Sequence, residues 1–568
     1  MLAKVKTIMR SRESLLVFST LAALGTWIYS RVWMVNPAIL GDEYLYSMNA
    51  RKALPWDPSP AGDFSNYLFN FVYQSTSLCG EAFYTCGKLL NIFFFLAFLI
   101  TLYLVAKRFL PFWGTLGFLI AAGLSPLSVY TSMFLPESMY MFFMGLLLLS
   151  VLRATNEFSW RNWALVGITI GVASLVKPHA WLSAIAVGLT LLIVGIGNRD
   201  LRLFPTLKSL GALIAGAALS RIFLGFIIAG PKALGFFGQY IGENTINQVL
   251  VPQQSSSGDA VDGTSPLGGV FLLFWPQLTT HIYVISALMA ISIAGLLLSI
   301  LKIVKTRRLD QVSAFALFAF VWLFSLMLEI VIFTGWVTGT GDDHTTRVLL
   351  RYYEFLFVIV PLAAISVFTK KQAEGINVWV RWVTALVLLL LVTPAFTGYF
   401  SNLTIQIADA PTLAGLVVNA DVFNAVAVVG FIALIVLATF PKFVPWTFVF
   451  LLPVSMVGTG WQIQDQYQGF RGTLSIADKA GMYLRDNFSP DEIDKTWVLA
   501  SSRFDATNIA LWADSKEITY ELVLPNTPLS ISDVPEGKQL ILSTVEIDAS
   551  ELIEVDLDQE GFRIYRVR

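Results

Sequence analysis

The segment SLLVFSTLAALGTWIYSRVWMVN (residues 14–36), which runs directly into PAILGDEY (residues 37–44), decides the fold of this chain. Its apolar part is long enough to cross about 30 Å of hydrocarbon as a helix. The basic stretch before it looks like the start of a signal peptide, but the apolar part is too long for one and lacks a clear small-residue cleavage site. We therefore expect a retained first membrane span that ends near two adjacent carboxylates, Asp42 and Glu43.

Apolar windows of span length recur as far as residue 462, and they predict a polytopic α-helical membrane protein with about 13 membrane-spanning helices. The windows lie near residues 14–36, 89–106, 112–134, 137–152, 162–178, 180–197, 209–229, 281–301, 312–334, 348–368, 379–398, 422–440 and 444–462. The composition agrees, because 56% of the 568 residues are apolar and 14% are charged, as expected of a chain that lipid solvates.

Basic clusters between the windows predict the orientation in the membrane. Threading the windows in alternation puts on one side Lys107/Arg108, Arg153/Arg161, Arg199/Arg202/Lys208, Lys302/Lys305/Arg307/Arg308, Lys370/Lys371/Arg381 and Lys442. Positive charge concentrates in cytoplasmic connections, so this side and the N-terminus are predicted to be cytoplasmic. The outer face then carries loops 37–88 and 231–280. A bacterial inner (plasma) membrane is the expected location, with a eukaryotic endoplasmic reticulum as the alternative.

The chain changes character near Gln464. Residues 1–464 form the predicted transmembrane domain, whereas residues 465–568 hold about half of the acidic residues and combine an amphipathic helix with short strand-like runs. We expect a small α/β domain here, on the outer (periplasmic) face. It contains no recognisable catalytic motif, so a supporting or partner-binding role is predicted for it.

Two further features bear on partners and on loop structure. No basic run interleaved with aromatic side chains stands out, so nucleic acid is not an expected partner. Membrane lipid is an expected partner, because the chain is mostly apolar. Residues 253–266 have the composition of a mobile connector, and a lid over a bound substrate is the alternative.

The two cysteines, Cys79 and Cys86, lie in the first outer loop, where the compartment permits oxidation. A straight helix would place their Cα atoms about 10 Å apart, beyond bridging range. A disulfide therefore requires a bend, which Gly80 would allow. The sequence favours the disulfide, with two unpaired thiols as the alternative.

Candidate catalytic carboxylates sit at the outer ends of spans, where charge is costly unless it pairs or works. Asp42 and Glu43 follow the first span, and Glu137 lies in the short outer turn Leu135-Pro136-Glu137. A carboxylate there can accept a proton from a hydroxyl nucleophile, and Asp42 with Glu137 could hold a divalent cation such as Mg²⁺, Mn²⁺ or Ca²⁺. The alternative is acids at solvated helix starts.

Candidate phosphate-binding residues are predicted at the same level. Lys177 and His179 form a tight outer turn, and Arg347 and Arg351, with Tyr352, open the tenth span. We expect the two arginines to share one helix face, where like charges repel and Glu354 offsets only one of them. A bound phosphate would remove that conflict; ordinary snorkelling to the interface is the alternative. His344 is read as a loop residue.

Carboxylates and phosphate-seeking cations at one membrane face suit the transfer of a sugar from a lipid phosphate. That reaction needs a base for the acceptor hydroxyl and positive charge near the departing phosphate, but no acid. A single base that acts opposite the leaving phosphate implies inversion at the anomeric carbon.

These features resemble the GT-C superfamily of polyprenyl-phosphate-sugar-dependent glycosyltransferases, in particular the branch with protein O-mannosyltransferases and aminoarabinose transferases. The resemblance rests on Asp42-Glu43 after the first span, Pro136-Glu137, the Leu175-to-Pro178 turn and the stretch from Arg347 to Tyr353. It implies that Asp42 is the catalytic base and that Glu137 assists through acceptor or metal contacts.

The resemblance also implies that Lys177, Arg347 and Arg351 hold the lipid phosphate of a polyprenyl-phosphate-linked sugar donor. Glycan, lipid and protein acceptors all stay open. Two other classes compete with this interpretation. A lipid-linked glycan flippase or transporter would place ionisable residues near the bilayer midplane and show repeats, and an assembly subunit would keep the fold without activity.

Overall fold

The computed structural model of the chain describes residues 2–37, 40–52, 65–197, 203–234, 266–306, 309–338, 346–370, 375–548, 553–559 and 561–567. The predicted mobile connector falls outside these ranges except for Pro266, and His344 falls outside them too.

Helices dominate the chain up to Gln468. Their bounds are α1 Leu2–Val32, α2 Leu40–Arg51, α3 Tyr67–Tyr73, α4 Phe83–Ala106, α5 Phe112–Gly123, α6 Glu137–Asn156, α7 Trp160–Val176, α8 Ser183–Gly197, α9 Leu203–Ala229, α10 Pro266–Thr306, α11 Gln311–Thr338, α12 Leu356–Thr369, α13 Val378–Phe396, α14 Pro411–Val417, α15 Ala420–Thr439, α16 Val444–Leu452 and α17 Thr459–Gln468. Tighter or wider helical turns connect several of them, at Gln74–Ala82, Pro126–Ser132, Pro178–Leu182, Gly230–Leu234, Tyr399–Asn402, Pro441–Phe443 and Pro453–Gly458.

Among the described residues, ten helical segments are long and apolar enough to cross a membrane, and a bent pair over Phe112–Gly123 and Pro126–Ser132 makes eleven. Two shorter apolar helices, α7 and α12, accompany them. Each predicted window overlaps one of these segments. The predicted membrane fold of many helices is therefore confirmed, with ten to eleven spans by length and composition.

Small residues allow helices α7 and α9 to pack closely. A Cβ atom added at Gly167 would lie 2.1 Å from the carbonyl oxygen of Leu213, and one at Gly171 would lie 2.3 Å from that of Ala217. Contact between backbones is typical of membrane helices, whose association depends on close packing rather than on hydrophobic burial.

The predicted helix over residues 348–368 begins later than expected. Residues 346–355 contain turns but no helix, and α12 starts at Leu356. The backbone amide of Arg351 instead donates to the carbonyl oxygen of Asp409 at 2.7 Å, and that of Val348 donates to Thr404. The prediction that Arg347 and Arg351 share a helix face is therefore wrong, because their segment pairs with residues 404–409.

A small α/β domain follows α17, as predicted from the sequence. Its helices are α18 Ile476–Asn487, α19 Pro490–Asp494 and α20 Arg503–Ala513, and its strands are β1 Thr496–Ala500, β2 Thr519–Leu522, β3 Thr527–Pro528, β4 Leu540–Ser543, β5 Ile547–Asp548, β6 Ile553–Gln559 and β7 Phe562–Arg566. Five strands form a sheet in the order β2-β1-β4-β7-β6, and β3 pairs with β5. Strand β1 runs parallel to β2 and β4, and β7 runs antiparallel to β4 and β6.

Helix α17 crosses the predicted domain boundary at residue 464, so the change of structure comes between Gln468 and Ile476. Ser475 marks the start of the domain: its side chain accepts from the amide of Asp478, and the Asp478 carboxylate accepts from the amide of Ser475. This reciprocal cap is a strong helix-start signal.

In the structure, a disulfide joins Cys79 to Cys86, with their Cα atoms 6.6 Å apart. Gly80 lies between them with a φ of +53°, inside the segment Gln74–Ala82. This left-handed conformation suits glycine, and it supplies the bend that a seven-residue spacing needs.

Candidate active site

Arg351 lies between two carboxylates that are far apart in the sequence. Its Nη1 donates to Oδ2 of Asp42 at 2.8 Å, and its Nε lies 3.6 Å from Oδ1 of Asp409. The Arg351 side chain is 12% exposed, whereas that of Asp42 is 33% exposed. Asp42 belongs to α2, so this pair connects the helix after the first span to the turn segment before α12.

Asp409 is a site residue that the sequence reasoning missed. Its buried Oδ2 accepts from Nε of Arg347 at 2.6 Å. The prediction that Glu354 is the single acid available to offset the two arginines is therefore wrong, since Asp409 pairs with both of them from another segment of the chain. A signal was present: Asp409 stands just before Pro411, where α14 begins, and acids are favoured near helix starts.

Glu354 serves a different purpose from the predicted one. It is fully buried and accepts from the hydroxyl of Tyr130 at 2.9 Å and from the amide of Thr412 at 2.6 Å. It therefore ties the first turn of α14 to the segment Pro126–Ser132.

Glu137 and Lys177 form a buried ion pair. Nζ of Lys177 donates to Oε1 of Glu137 at 2.7 Å, and the two side chains are 4% and 3% exposed. Nζ also lies 4.6 Å from the centre of the Tyr352 ring, a favourable cation–π distance. Among the described residues, Oε2 of Glu137 has no hydrogen-bond partner. Glu137 and Lys177, both of which the sequence predicts for the site, are therefore paired with each other.

Glu43 points away from Asp42 into the protein. It is fully buried, and its Oε1 accepts from the hydroxyl of Tyr84 at 2.5 Å and from the amide of Phe134 at 2.8 Å. These bonds join α2 to α4 and to the turn before α6. Glu43 therefore positions the segment that carries Asp42.

The remaining predicted residues, His179 and Tyr352, lie beside the cations. Their ring centres are 4.4 Å apart, and the planes are tilted by 40°. Nη2 of Arg351 donates to the Tyr352 hydroxyl at 3.4 Å. Tyr352 thus contacts Lys177, His179 and Arg351, and it connects the two ion pairs into one polar cluster.

The charges around Asp42 favour its ionised form. Burial raises the pKa of its carboxyl. The charge and the hydrogen bond of Arg351 lower the pKa, the charges of Arg347 and Lys177 also lower it, and together they outweigh the effect of burial. The pKa of Asp42 is consequently held below its usual value, and the group is a carboxylate near neutral pH.

Metal-ligating side chains are sparse. Among the residues that the structure describes, no group of three or more His, Cys, Asp or Glu side chains is placed to hold a metal ion. Asp42 and Glu137, the two predicted ligands, each accept from a cation of the chain itself.

Part of the sequence matches a known protein family. The model of the family described as dolichyl-phosphate-mannose-protein mannosyltransferase matches residues 74–223, about a quarter of the chain. This region contains Glu137, Lys177 and His179, but not Asp42, Arg347 or Arg351. No curated protein matches the chain.

Solved structures that are similar to this one include a bacterial and an archaeal protein. ArnT from Cupriavidus metallidurans, bound to undecaprenyl phosphate, is 12% identical, with 98% of each chain covered and a TM-score of 0.45. The archaeal oligosaccharyltransferase AglB from Archaeoglobus fulgidus, in complex with an inhibitory peptide and a dolichol-phosphate, is 11% identical. That similarity covers 93% of this chain and 69% of AglB, with a TM-score of 0.41. The family match over residues 74–223 confirms the resemblance of this chain to glycosyltransferases that use polyprenyl-phosphate-linked donors.

Proposed function

We propose that this protein is a membrane glycosyltransferase that moves a sugar from a polyprenyl-phosphate donor to an acceptor hydroxyl at the outer face of the membrane. The observation that carries the proposal is the difference in exposure among the acids of the polar cluster. Asp42 is 33% exposed and lies against Arg351, whereas Glu43, Glu137, Glu354 and Asp409 are all buried. Asp42 is thus the acid that a substrate hydroxyl can reach.

The transfer step assigns a role to each charged group. The acceptor hydroxyl gives its proton to the Asp42 carboxylate as its oxygen bonds to the anomeric carbon of the sugar. The bond from that carbon to the phosphate oxygen breaks, and its electron pair leaves with the lipid phosphate. Because the acceptor attacks from the face opposite the phosphate, the sugar is inverted. A general base of this kind contributes about 100-fold or more to rate.

The departing phosphate is proposed to bind beside Arg351, Arg347 and Lys177. A guanidinium fork matches phosphate oxygens well, and Arg351 already lies 2.8 Å from the proposed base. Donor phosphate and base would then share one guanidinium, which places the anomeric carbon near Asp42. Tyr352 and His179 lie in the same cluster and are proposed to border the sugar.

Glu137 is proposed to act through Lys177, which it holds by the buried ion pair. The described residues offer no complete ligand set for a divalent cation, and the step above uses none. A cation held by Asp42 and Glu137 stays a prediction of the sequence, and transfer measured with and without EDTA tests it.

A direct assay tests the function. Purified protein in lipid nanodiscs is incubated with radiolabelled polyprenyl-phosphate sugars and with glycan, lipid and peptide acceptors in parallel. We expect label to move to one acceptor class and free polyprenyl phosphate to accumulate. Movement of intact lipid-linked sugar across proteoliposomes without transfer would instead identify a transporter. Binding without either reaction would identify an assembly subunit.

A further inference from the structure

The C-terminal domain forms ion pairs with the C-terminal end of α2, the helix that carries Asp42. Helix α2 has 12 residues, with Asp42 in its first turn and Arg51 in its last. Nη2 of Arg51 lies 2.6 Å from Oδ1 of Asp514, and Nζ of Lys52 lies 2.6 Å from Oδ2 of the same residue. The Asp514 carboxylate of the domain therefore pairs with both cations at the end of α2, Arg51 and Lys52.

The end of helix α20 fixes the position of Asp514. It follows α20 directly as the capping residue, with a φ of +58°. Asp and Asn tolerate this left-handed conformation better than most residues do. The carboxylate therefore projects from a defined helix end rather than from a long loop.

Arg51 is the buried partner of the pair. Its side chain is 4% exposed, its guanidinium lies 3.6 Å above the Phe83 ring, and its Nε donates to Oγ of Ser47 at 2.9 Å. A buried charge depends strongly on its counter-charge. Removing the Asp514 charge would thus destabilise the C-terminal end of α2, where Arg51 would lose its counter-charge.

A second contact leads from the domain to the carboxylate next to Asp42. The Trp512 ring packs against Phe83 and Tyr84, with ring centres 6.1 and 6.3 Å apart. Its Nε1 donates to Oδ1 of Asp478 at 2.6 Å, which fixes the ring within the domain. The Tyr84 hydroxyl in turn donates to Glu43.

Helix α2 is consequently held at both ends, by Arg351 at Asp42 and by the domain at Arg51. We propose that the C-terminal domain is a positioning element for the reaction, acting through Asp514 and Trp512 to set the place of Asp42. This inference rests on the function proposed above for Asp42. A displacement of about 1 Å at a reacting group can cost about 100-fold in rate, so a firm hold on α2 has a direct effect on turnover.

Three variants of the full-length protein test the inference. Asp514→Asn removes the charge but keeps the size and the tolerance of positive φ. Trp512→Ala removes the ring, and Trp512→Phe keeps an aromatic contact with Phe83 and Tyr84. Glu536→Gln is the matched control, because it changes the same charge at an exposed position of the same domain.

The first readout is amide hydrogen exchange in residues 40–51, which reports local opening without any need for activity. We expect faster exchange there in Asp514→Asn and Trp512→Ala, with Glu536→Gln unchanged and Trp512→Phe close to wild type. Exchange that matches wild type in both of the first two variants would overturn the inference.

The second readout is the kcat and the KM of each variant, determined separately, with its melting temperature measured as a control for folding. We expect kcat to fall about 10-fold or more with the donor KM nearly unchanged, as for a group that acts only in the transition state. Combined with Asp42→Asn, Asp514→Asn should add little further loss, because coupled residues are not additive. A full additional loss would show that Asp514 acts independently of Asp42, and a rise in acceptor KM alone would show that the domain binds the acceptor. Either result would overturn positioning.

The two readouts keep the two proposals distinguishable. Altered exchange in α2 together with a wild-type protein that transfers no sugar would contradict the proposed function and leave the structural hold on α2 standing. Wild-type transfer with unchanged exchange and unchanged kcat in the variants would contradict the positioning role alone.

Discussion

Arg351 donates from Nη1 to Oδ2 of Asp42 across 2.8 Å, although 309 positions separate the two residues in the chain. The same guanidinium lies 3.6 Å from Asp409, which also neutralises Arg347. Both arginines therefore have carboxylate partners in this structure. A donor phosphate would have to share Arg351 with Asp42 and take the place of Asp409, the more distant partner of that guanidinium.

Replacing Arg351 should weaken donor binding. We expect Arg351→Ala to raise the Kd of polyprenyl phosphate about 30-fold, which corresponds to the ~2 kcal/mol of a lost charge-assisted pair. Arg351→Lys should recover only part of this loss, because ammonium lacks the planar fork. Titration of the protein in nanodiscs with polyprenyl phosphate measures the effect.

Arg347→Ala is the matched comparison. Its side chain is 27% exposed, more than that of Arg351, so we expect a smaller loss of donor affinity. Unchanged affinity in both alanine variants would place the phosphate elsewhere, and Lys177 would be the next residue to test.

Breaking the buried Glu137–Lys177 pair on one side should destabilise the protein. With both side chains nearly inaccessible, Lys177→Met leaves the Glu137 carboxylate buried without its cation, at a cost of about 3–5 kcal/mol. The double variant Lys177→Met/Glu137→Gln should recover much of that loss. Thermal unfolding followed by intrinsic fluorescence compares the variants. A single variant as stable as wild type would mean that the pair does not hold this part of the site together.

Sequence reasoning predicted the spans well because lipid imposes a simple rule. A segment that crosses the membrane must be apolar over its length and must satisfy its own backbone hydrogen bonds, so each window of apolar residues overlaps a helix over most of its length. The turn segment 346–355 escaped this rule, because its backbone pairs with residues 404–409. Hydropathy does not register a partner so distant in the chain.

The same limit applies to the site. Position at the predicted outer ends of spans makes Asp42, Glu137, Lys177 and Arg351 candidates, and the structure brings them into one polar cluster. The choice of partners is not predictable from the sequence, since it depends on which connecting segments meet in space. The sequence therefore does not predict Asp409, and it suggests as the counter-charge of the arginines Glu354, the nearest acid in sequence rather than in space.

The predicted orientation can be tested with single cysteines in a background in which Cys79 and Cys86 are serine. Glu536 and Thr306 are both exposed in the structure, and they lie on opposite predicted sides of the membrane. A membrane-impermeant maleimide applied to intact cells should label Glu536→Cys but not Thr306→Cys. The reverse pattern would overturn the orientation and the outer-face location of the proposed site.

The disulfide between Cys79 and Cys86 can be tested on the same protein with its cysteines intact. In denaturant, we expect no thiol to react before reduction and two to react afterwards. Because the closed loop is short, reduction should cost less than the ~3 kcal/mol expected for a loop of about 15 residues. Two thiols that react without reduction would show that the cysteines are unpaired.

The last prediction separates chemistry from positioning at two neighbouring carboxylates. Asp42→Asn keeps size and hydrogen-bonding capacity but removes the proton-accepting charge, so the protein should fold and bind donor nearly as before. Transfer should still fall by at least the ~100-fold that a general base supplies. Glu43→Gln should show the opposite balance. Its buried oxygen accepts from Tyr84 and Phe134, so the melting temperature should fall and turnover should fall less. Initial rates at saturating donor, measured beside a thermal scan, compare the two variants. Wild-type turnover in Asp42→Asn with loss in Glu43→Gln would mean that the base is misassigned, and full activity in both would contradict the mechanism.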